Sequence, residues 1–239
     1  IVAARFWGLW EPFPDMVKQQ NKAESTGQAT NGGSSLANPL AGHGAGRYDD
    51  EMVKAFDRLR AQGISFNDMS VTMLAKEIGV SRVTFYSHYG DKSRTVIMLA
   101  ERTGGEIAGE VEVWHRFAER LTYDELYDVM DRIMSIMETH RTTMDLLIET
   151  STYDEEIGEF YHGLKQTIGD MVGAVIEKLL TAGRCDPTLD ASYGIILSNM
   201  FERNFYHFAA APGRDRDTEL VTRLSQIYWR LLYCKHVPQ

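Results

Sequence analysis

Apolar residues recur three and four positions apart along most of the chain, and alternating β-branched runs are scarce, so the pattern predicts an all-α protein. A first helix is expected from Asp49 or Asp50 to about Gln62, with Met52, Phe56 and Leu59 on one stripe and Gly63 at its end. Two short helices then follow in MSVTMLAKEIGVSRVTFYSHYGDK, Met69 to Lys92. Ser70 is placed to cap the first of them, Leu74 and Ile78 share its inner face, and Gly79 sits where the chain must turn. Ser81 is placed to cap the second, whose Phe85 and Tyr89 would pack back on Leu74 and Ile78. A fourth helix is expected from near Lys92, with Gly104-Gly105 as a point of bending or breakage.

Further on, Thr122-Tyr123-Asp124-Glu125 and Thr152-Tyr153-Asp154-Glu155 have the form of capping boxes and predict two helix starts. The first helix carries Leu126, Met130, Ile133, Met134 and Met137; the second carries Ile157, Phe160, Leu164, Ile168, Met171, Val175 and Leu179 and stops at Gly183. Most such positions serve simply as core, but methionine adapts to cavities that accept varied apolar ligands. Two last helices are expected at roughly Asp190 to Ala209 and Asp217 to Cys234, separated by AAPGRDR. The last one has an apolar stripe of Leu220, Leu224, Ile227 and Leu231, widened by Tyr228 and Leu232 beyond what one neighbour covers.

Composition alters this picture at three points. The 239 residues are 44% hydrophobic, enough for a small domain joined to a larger one. The net charge of −9 argues at first against a nucleic-acid partner. Its distribution reverses that argument: residues 46–100 hold eight Lys or Arg against seven Asp or Glu, whereas residues 101–239 hold fourteen against twenty-four. Cys185 and Cys234 are the only cysteines and form no CxxC, histidines show no HxxxH or HExxH spacing, and no apolar run reaches membrane-spanning length. A reduced cytoplasm, no metal, no cofactor and no membrane are therefore expected.

The N-terminal stretch reads differently. Ile1 to Met16 is aromatic, with Phe6, Trp7, Trp10 and Phe13, and lacks the aliphatic core of a secretory signal. Asn21 to Gly46 is rich in Gly, Ser, Ala, Asn and Thr and has the composition of a linker. Gly42-His43-Gly44-Ala45-Gly46 does not meet a dinucleotide fingerprint, since no strand precedes it and Arg47 stands where the third Gly belongs. The expected division is an N-terminal extension over 1–46, a helix-turn-helix unit over 47–101 and a helical unit over 102–239.

The outer face of the second short helix bears Arg82, Thr84, Tyr86 and His88, a mixture of cation, hydroxyls and aromatic suited to base edges and phosphates in a major groove. Ala75-Lys76-Glu77-Ile78-Gly79-Val80-Ser81, Thr84-Phe85-Tyr86, His88-Tyr89 and Asp91-Lys92 together resemble the DNA-binding unit of TetR-family transcriptional regulators over about Tyr48 to Glu101. Val83 and Gly90 depart from the residues usual there. The resemblance implies a homodimeric regulator, a repressor, that binds a palindromic double-stranded operator. Arg82, Thr84 and Tyr86 would then lie at or near the bases, and Thr72, Ser81, His88 and Lys92 on phosphates.

Met200-Phe201-Glu202-Arg203-Asn204-Phe205-Tyr206, followed by Leu220 to Tyr233, is similar to the last two helices of the TetR branch that contains the mycobacterial ethionamide-resistance repressor. That resemblance implies dimerisation through these helices and an aromatic ligand tunnel. Ser198 and Phe201 stand where that branch has polar Asn contacts, so the pocket should be drier. The expected effector is a hydrophobic small molecule among Leu126, Met130, Ile133, Met137, Phe160, Leu164, Ser198, Phe201 and Tyr228. Glu202 and Arg203, adjacent on a helix, should each pair with other helices. The alternatives are a helical enzyme or carrier that uses the same cavity without DNA, and an interaction module. No nucleophile-base pair, P-loop or metal-ligand cluster supports an enzyme.

Overall fold

The computed structural model describes residues 45–209 and 218–233, and these contain nine α-helices and no strand. The expectations for residues 1–44, the AAPGRDR connection and Cys234 lie outside the described residues. In chain order the helices are α1 (Ala45–Ala61), α2 (Val71–Glu77), α3 (Arg82–Tyr89), α4 (Lys92–Phe117), α5 (Tyr123–Thr139), α6 (Arg141–Thr150), α7 (Glu155–Thr181), α8 (Tyr193–Ala209) and α9 (Thr218–Leu232).

Local chemistry sets the first boundaries. The Ser70 and Ser81 side chains accept from the backbone N–H of Met73 and Thr84, capping α2 and α3. Gly63 and Gly79 take φ of +79° and +73° after α1 and α2, a conformation L side chains avoid. The four-residue connection between α2 and α3 brings Leu74 and Ala75 against Phe85 and Tyr89, all buried. Arg58 on α1 donates from Nε to Glu77 Oε2 (2.7 Å) and from its guanidinium to the Glu77 carbonyl (3.1 Å), so it ties the C-terminus of α2 to α1.

One apolar core unites these short helices with the rest. Met52, Phe56, Phe66, Met69 and Phe85 pack with Val96 and Leu99 of α4, Met144 and Leu147 of α6, and Ile157 and Leu164 of α7. Complete burial of Phe56 or Phe85 contributes about 1.5–3 kcal/mol each. The expected division at 101/102 falls within α4, and this core continues across it.

Three expectations require correction. Gly104 and Gly105 neither break nor end α4, which is a continuous 26-residue helix. Gly104 is instead a point of close approach, because a Cβ there would lie 2.6 Å from Leu164 Cδ1. The capping box at Thr122 forms, with Glu125 reaching back to the Thr122 N–H (2.8 Å), but the second box does not. Asp154 caps α7 by accepting from the Ile157 N–H, while the Thr152 hydroxyl donates to the Glu149 carbonyl. Finally, α6 is an additional helix. It follows α5 after His140 alone, with neither Gly nor Pro to mark the break and no side-chain cap on His140.

The tightest packing lies between α7 and α8. A Cβ on Gly194 would sit 2.2 Å from the Gly169 carbonyl oxygen and 2.4 Å from the Gly173 nitrogen, and one on Gly169 would sit 2.9 Å from Ile195 Cα. The obstacles are backbone atoms, which cannot swing aside. Gly194→Ala should therefore destabilise the protein by about 1–3 kcal/mol through forced separation of the helices. Gly105→Ala, with open space around it, should stabilise by roughly 0.5–1 kcal/mol through helix propensity. Urea unfolding of the two variants checks the contrast; equal stabilities would mean that the α7–α8 contact is looser than described.

Candidate nucleic-acid interface and cavity

The surface of α3 divides cleanly. Phe85 and Tyr89 point into the core with ring centroids 5.2 Å apart, while Arg82, Val83 and Tyr86 are exposed. The Arg82 guanidinium lies 6.0 Å from the Tyr86 ring centroid, within the range of a cation–π contact that holds the side chain along the helix face. Thr72 on α2 is exposed. Ser81 is exposed as well, and its hydroxyl lies 2.8 Å from that of half-buried Thr84, so the two act as one hydroxyl pair at the start of α3.

Two residues expected on phosphates are engaged elsewhere. Lys92 Nζ donates to the carbonyls of Phe66 (2.9 Å), Asn67 (3.2 Å) and Met69 (3.3 Å) and lies 4.7 Å above the Phe66 ring. An ammonium has three protons, and all three are directed at the loop before α2. Its role here is to fix that loop. His88 is half-buried, with its ring edge-on to Tyr89 (4.5 Å, 88°), and its Nε2 is buried without a partner among the described residues. It faces inward, close enough to Asp49 for their charges to interact. Burial pushes the Asp49 carboxyl above the usual range, and Arg102 and His88 partly offset this.

Sequence reasoning passed over Val83 as a contact. It is 79% exposed at the start of α3, an unusual place for a β-branched apolar side chain in solvent, and that exposure is visible only once Phe85 and Tyr89 fix the inward face.

The cavity lies among α4, α5, α6, α7, α8 and α9. It holds about 740 Å³ of empty space, part of it open to solvent. Seven of the nine expected residues line it: Met130, Ile133, Met137, Leu164, Ser198, Phe201 and Tyr228. Leu126 and Phe160 do not. Leu126 is wholly buried one turn before Met130, and Phe160 packs against the core beneath the short helices.

Sequence reasoning missed the whole wall formed by α4, whose Gly104, Ile107, Val111 and Trp114 follow the spacing of a single helix face. The walls are held rigidly. Tyr228 donates to the Leu197 carbonyl (2.7 Å), Trp114 Nε1 donates to the Tyr233 hydroxyl (2.9 Å), and Trp114 and Tyr228 lie 5.8 Å apart. Burial pushes the Tyr233 phenol up to about 12. The other unanticipated residues are the apolar Met144, Ile168 and Val172 and the polar Tyr161, Lys165, Asn199 and Glu202.

Solved structures share this fold. A TetR-family transcriptional regulator from Syntrophomonas wolfei aligns with a TM-score of 0.64 at 12% identity, covering 77% of this chain and 94% of its own. PfmR, a TetR-family regulator from Thermus thermophilus, aligns with a TM-score of 0.60 at 17% identity, over 78% of this chain and 98% of its own. The fold is that of the TetR-family regulators. A third such protein, the Thermus thermophilus repressor FadR, was solved in complex with lauroyl-CoA and aligns with a TM-score of 0.51 at 18% identity, over 80% of this chain and 98% of its own. No family model matches the chain, and no curated protein matches it. Among the described residues no helix is long and apolar enough to cross a membrane, and no three His, Cys, Asp or Glu gather as metal ligands.

The assignment of Lys92 to the loop is open to direct test. Lys92→Met keeps the aliphatic stem and removes the three charged hydrogen bonds, and should cost roughly 1.5–3 kcal/mol in urea unfolding. An unchanged unfolding midpoint, with DNA affinity lost instead, would return Lys92 to the nucleic-acid interface.

Proposed function

We propose that the protein is a homodimeric DNA-binding transcriptional repressor, with residues 47–101 as its DNA-reading unit and residues 102–239 as its effector-binding and dimerisation unit. The observation that carries this reading is the outer face of α3, where Arg82, Val83 and Tyr86 stand exposed over a buried Phe85–Tyr89 seam. Arg82 can donate in a bidentate manner to a guanine, Val83 offers an apolar contact to a thymine methyl, and the Ser81–Thr84 hydroxyl pair and Thr72 suit phosphates. Two copies of α3 in successive major grooves of a palindromic operator would lie about 34–36 Å apart.

Dimerisation through α8 and α9 is supported by Ile196 and Ile227, which are 59% and 46% exposed on those helices and would be covered by the same helices of a second copy. The cavity supports a hydrophobic effector, in keeping with an acyl ligand in FadR. Ser198 and Phe201, which stand where the ethionamide-resistance branch has polar Asn contacts, both line it. Effector binding would favour a dimer whose α3 helices no longer match the operator, to the extent that the ligand binds the two states unequally.

The test is selection of a random double-stranded DNA library on the purified full chain at about 150 mM salt, where non-specific phosphate contacts are weakened. A palindrome should be recovered. Arg82→Ala should then weaken binding to it by about 1–3 kcal/mol and relax the preference at one base pair of each half-site. Recovery of no sequence from a folded dimer would overturn the proposal, and equal losses on operator and random DNA would assign Arg82 to the backbone.

A further inference from the structure

The apolar cavity has one polar corner. Tyr161 and Lys165, one turn apart on α7, meet Glu202 of α8 there: the Tyr161 hydroxyl donates to Glu202 Oε1 at 2.8 Å, and Lys165 Nζ lies 4.4 Å from the Tyr161 ring centroid. Glu202 Oε2 has no hydrogen-bond donor among the described residues. Asn199, exposed on the preceding turn of α8, also lines the cavity and marks where it opens to solvent.

A carboxylate on the wall of an otherwise apolar slot is costly unless something with a matching charge and protons arrives there. Burial is the largest influence on Glu202 and pushes its carboxyl above the usual range, against the opposing pull of Tyr161, Lys165 and Arg203. Lys165 is the less demanding of the two charges, since its ammonium already rests on an aromatic face. Of the two, Glu202 keeps an acceptor oxygen for an incoming counter-charge, whereas the Lys165 ammonium already has an aromatic partner.

We propose that the cavity selects amphiphiles with an apolar tail and a basic, hydrogen-bond-donating head, of the alkylamine class, with Glu202 receiving the head and the Trp114–Tyr228 region receiving the tail. The proposal rests on the effector-cavity reading above and gives it a ligand chemistry different from an acyl carboxylate or thioester. Glu202 accepts from the ammonium through Oε2 while Tyr161 retains Oε1. The tail displaces water from a wall of Met130, Ile133, Val111 and Phe201.

Calorimetric titration of the full-chain protein with dodecylamine, dodecanol and laurate, each below its micelle concentration at neutral pH, tests this directly. Dodecylamine should bind at least tenfold more tightly than laurate, with dodecanol between them. Glu202→Gln should remove the preference for amine over alcohol while dodecanol affinity stays within about twofold, which also shows that the variant is folded. Laurate binding most tightly, and losing that advantage in Lys165→Met, would overturn the proposal in favour of an anionic head. Equal binding of all three in the unmodified protein would leave the effector cavity standing and remove Glu202 as its selector. Binding of none would remove both.

Discussion

The contact on which the rest of the structure depends is the backbone crossing of α7 and α8 at Gly169, Gly173 and Gly194. Helices that meet through side chains stand about 8–10 Å apart; here a single methyl on Gly194 would collide with carbonyl and amide atoms of α7. Fixing α8 so closely also fixes the register of everything carried beyond the crossing. Glu202 thereby comes within hydrogen-bond distance of Tyr161, and Ser198 and Phe201 come onto the same wall as Leu164 and Ile168. A looser crossing would admit side chains between the helices and close the cavity from that side.

The long helix α4 is the second member of this frame, and α7 holds it at three places. Near the start of α4 the Ser93 hydroxyl donates to Asp154 Oδ2 at 2.6 Å, so the residue that caps α7 also grips α4. In the middle Gly104 admits Leu164. At the end Lys178 Nζ donates to the carbonyls of His115 (2.9 Å) and Arg116 (3.0 Å), a cation in the place that favours one at a helix C-terminus. Lys178 and Lys92 act alike at opposite ends of α4: an ammonium is placed over a cluster of backbone carbonyls.

How much of this was legible in the sequence follows from the range of the interactions. Caps and turns are local, so Ser70, Gly79, Ser81 and the Thr122–Glu125 box could be recognised from residues three or four apart. The helix α6 escaped notice because its start depends on tertiary packing of Met144 and Leu147 and not on a capping residue. Lys92 and His88 were expected on phosphates because they lie in the stretch that resembles a DNA-binding unit. Their actual partners, the carbonyls of residues 66–69 and the Tyr89–Asp49 neighbourhood, are set by how the chain doubles back. The cavity was found through its methionines, whereas its α4 wall and polar corner were not, since a Gly-Ile-Val-Trp stripe and a lone Glu look alike in core and in pocket until a facing helix is known.

On the proposed reading, the polar contacts between α1 and the helices that surround the cavity give the coupling a physical scale. Arg102, two residues before Gly104, lies 4.0 Å from Asp49, 3.7 Å from Asp50 and 3.4 Å from Glu106, and His140 meets Glu106 at 3.1 Å. Arg60 reaches Glu149 at 3.3 Å, and the Thr142 hydroxyl donates to Asp57 at 2.6 Å. These are partly exposed contacts, each worth about 0–1 kcal/mol. Effectors typically shift a linked equilibrium by about 1–3 kcal/mol, so a ligand that displaces α4 at Gly104 needs to reorganise only a few of them. The buried seam of Phe56, Phe66 and Phe85 is too strong to exchange on that scale, and it would keep α1, α2 and α3 together as a body while the weaker polar contacts around Arg102 are remade. Strong contacts within the short helices and weak ones along Arg102 are the combination that would let α3 be moved as a unit, with its Arg82–Tyr86 face intact.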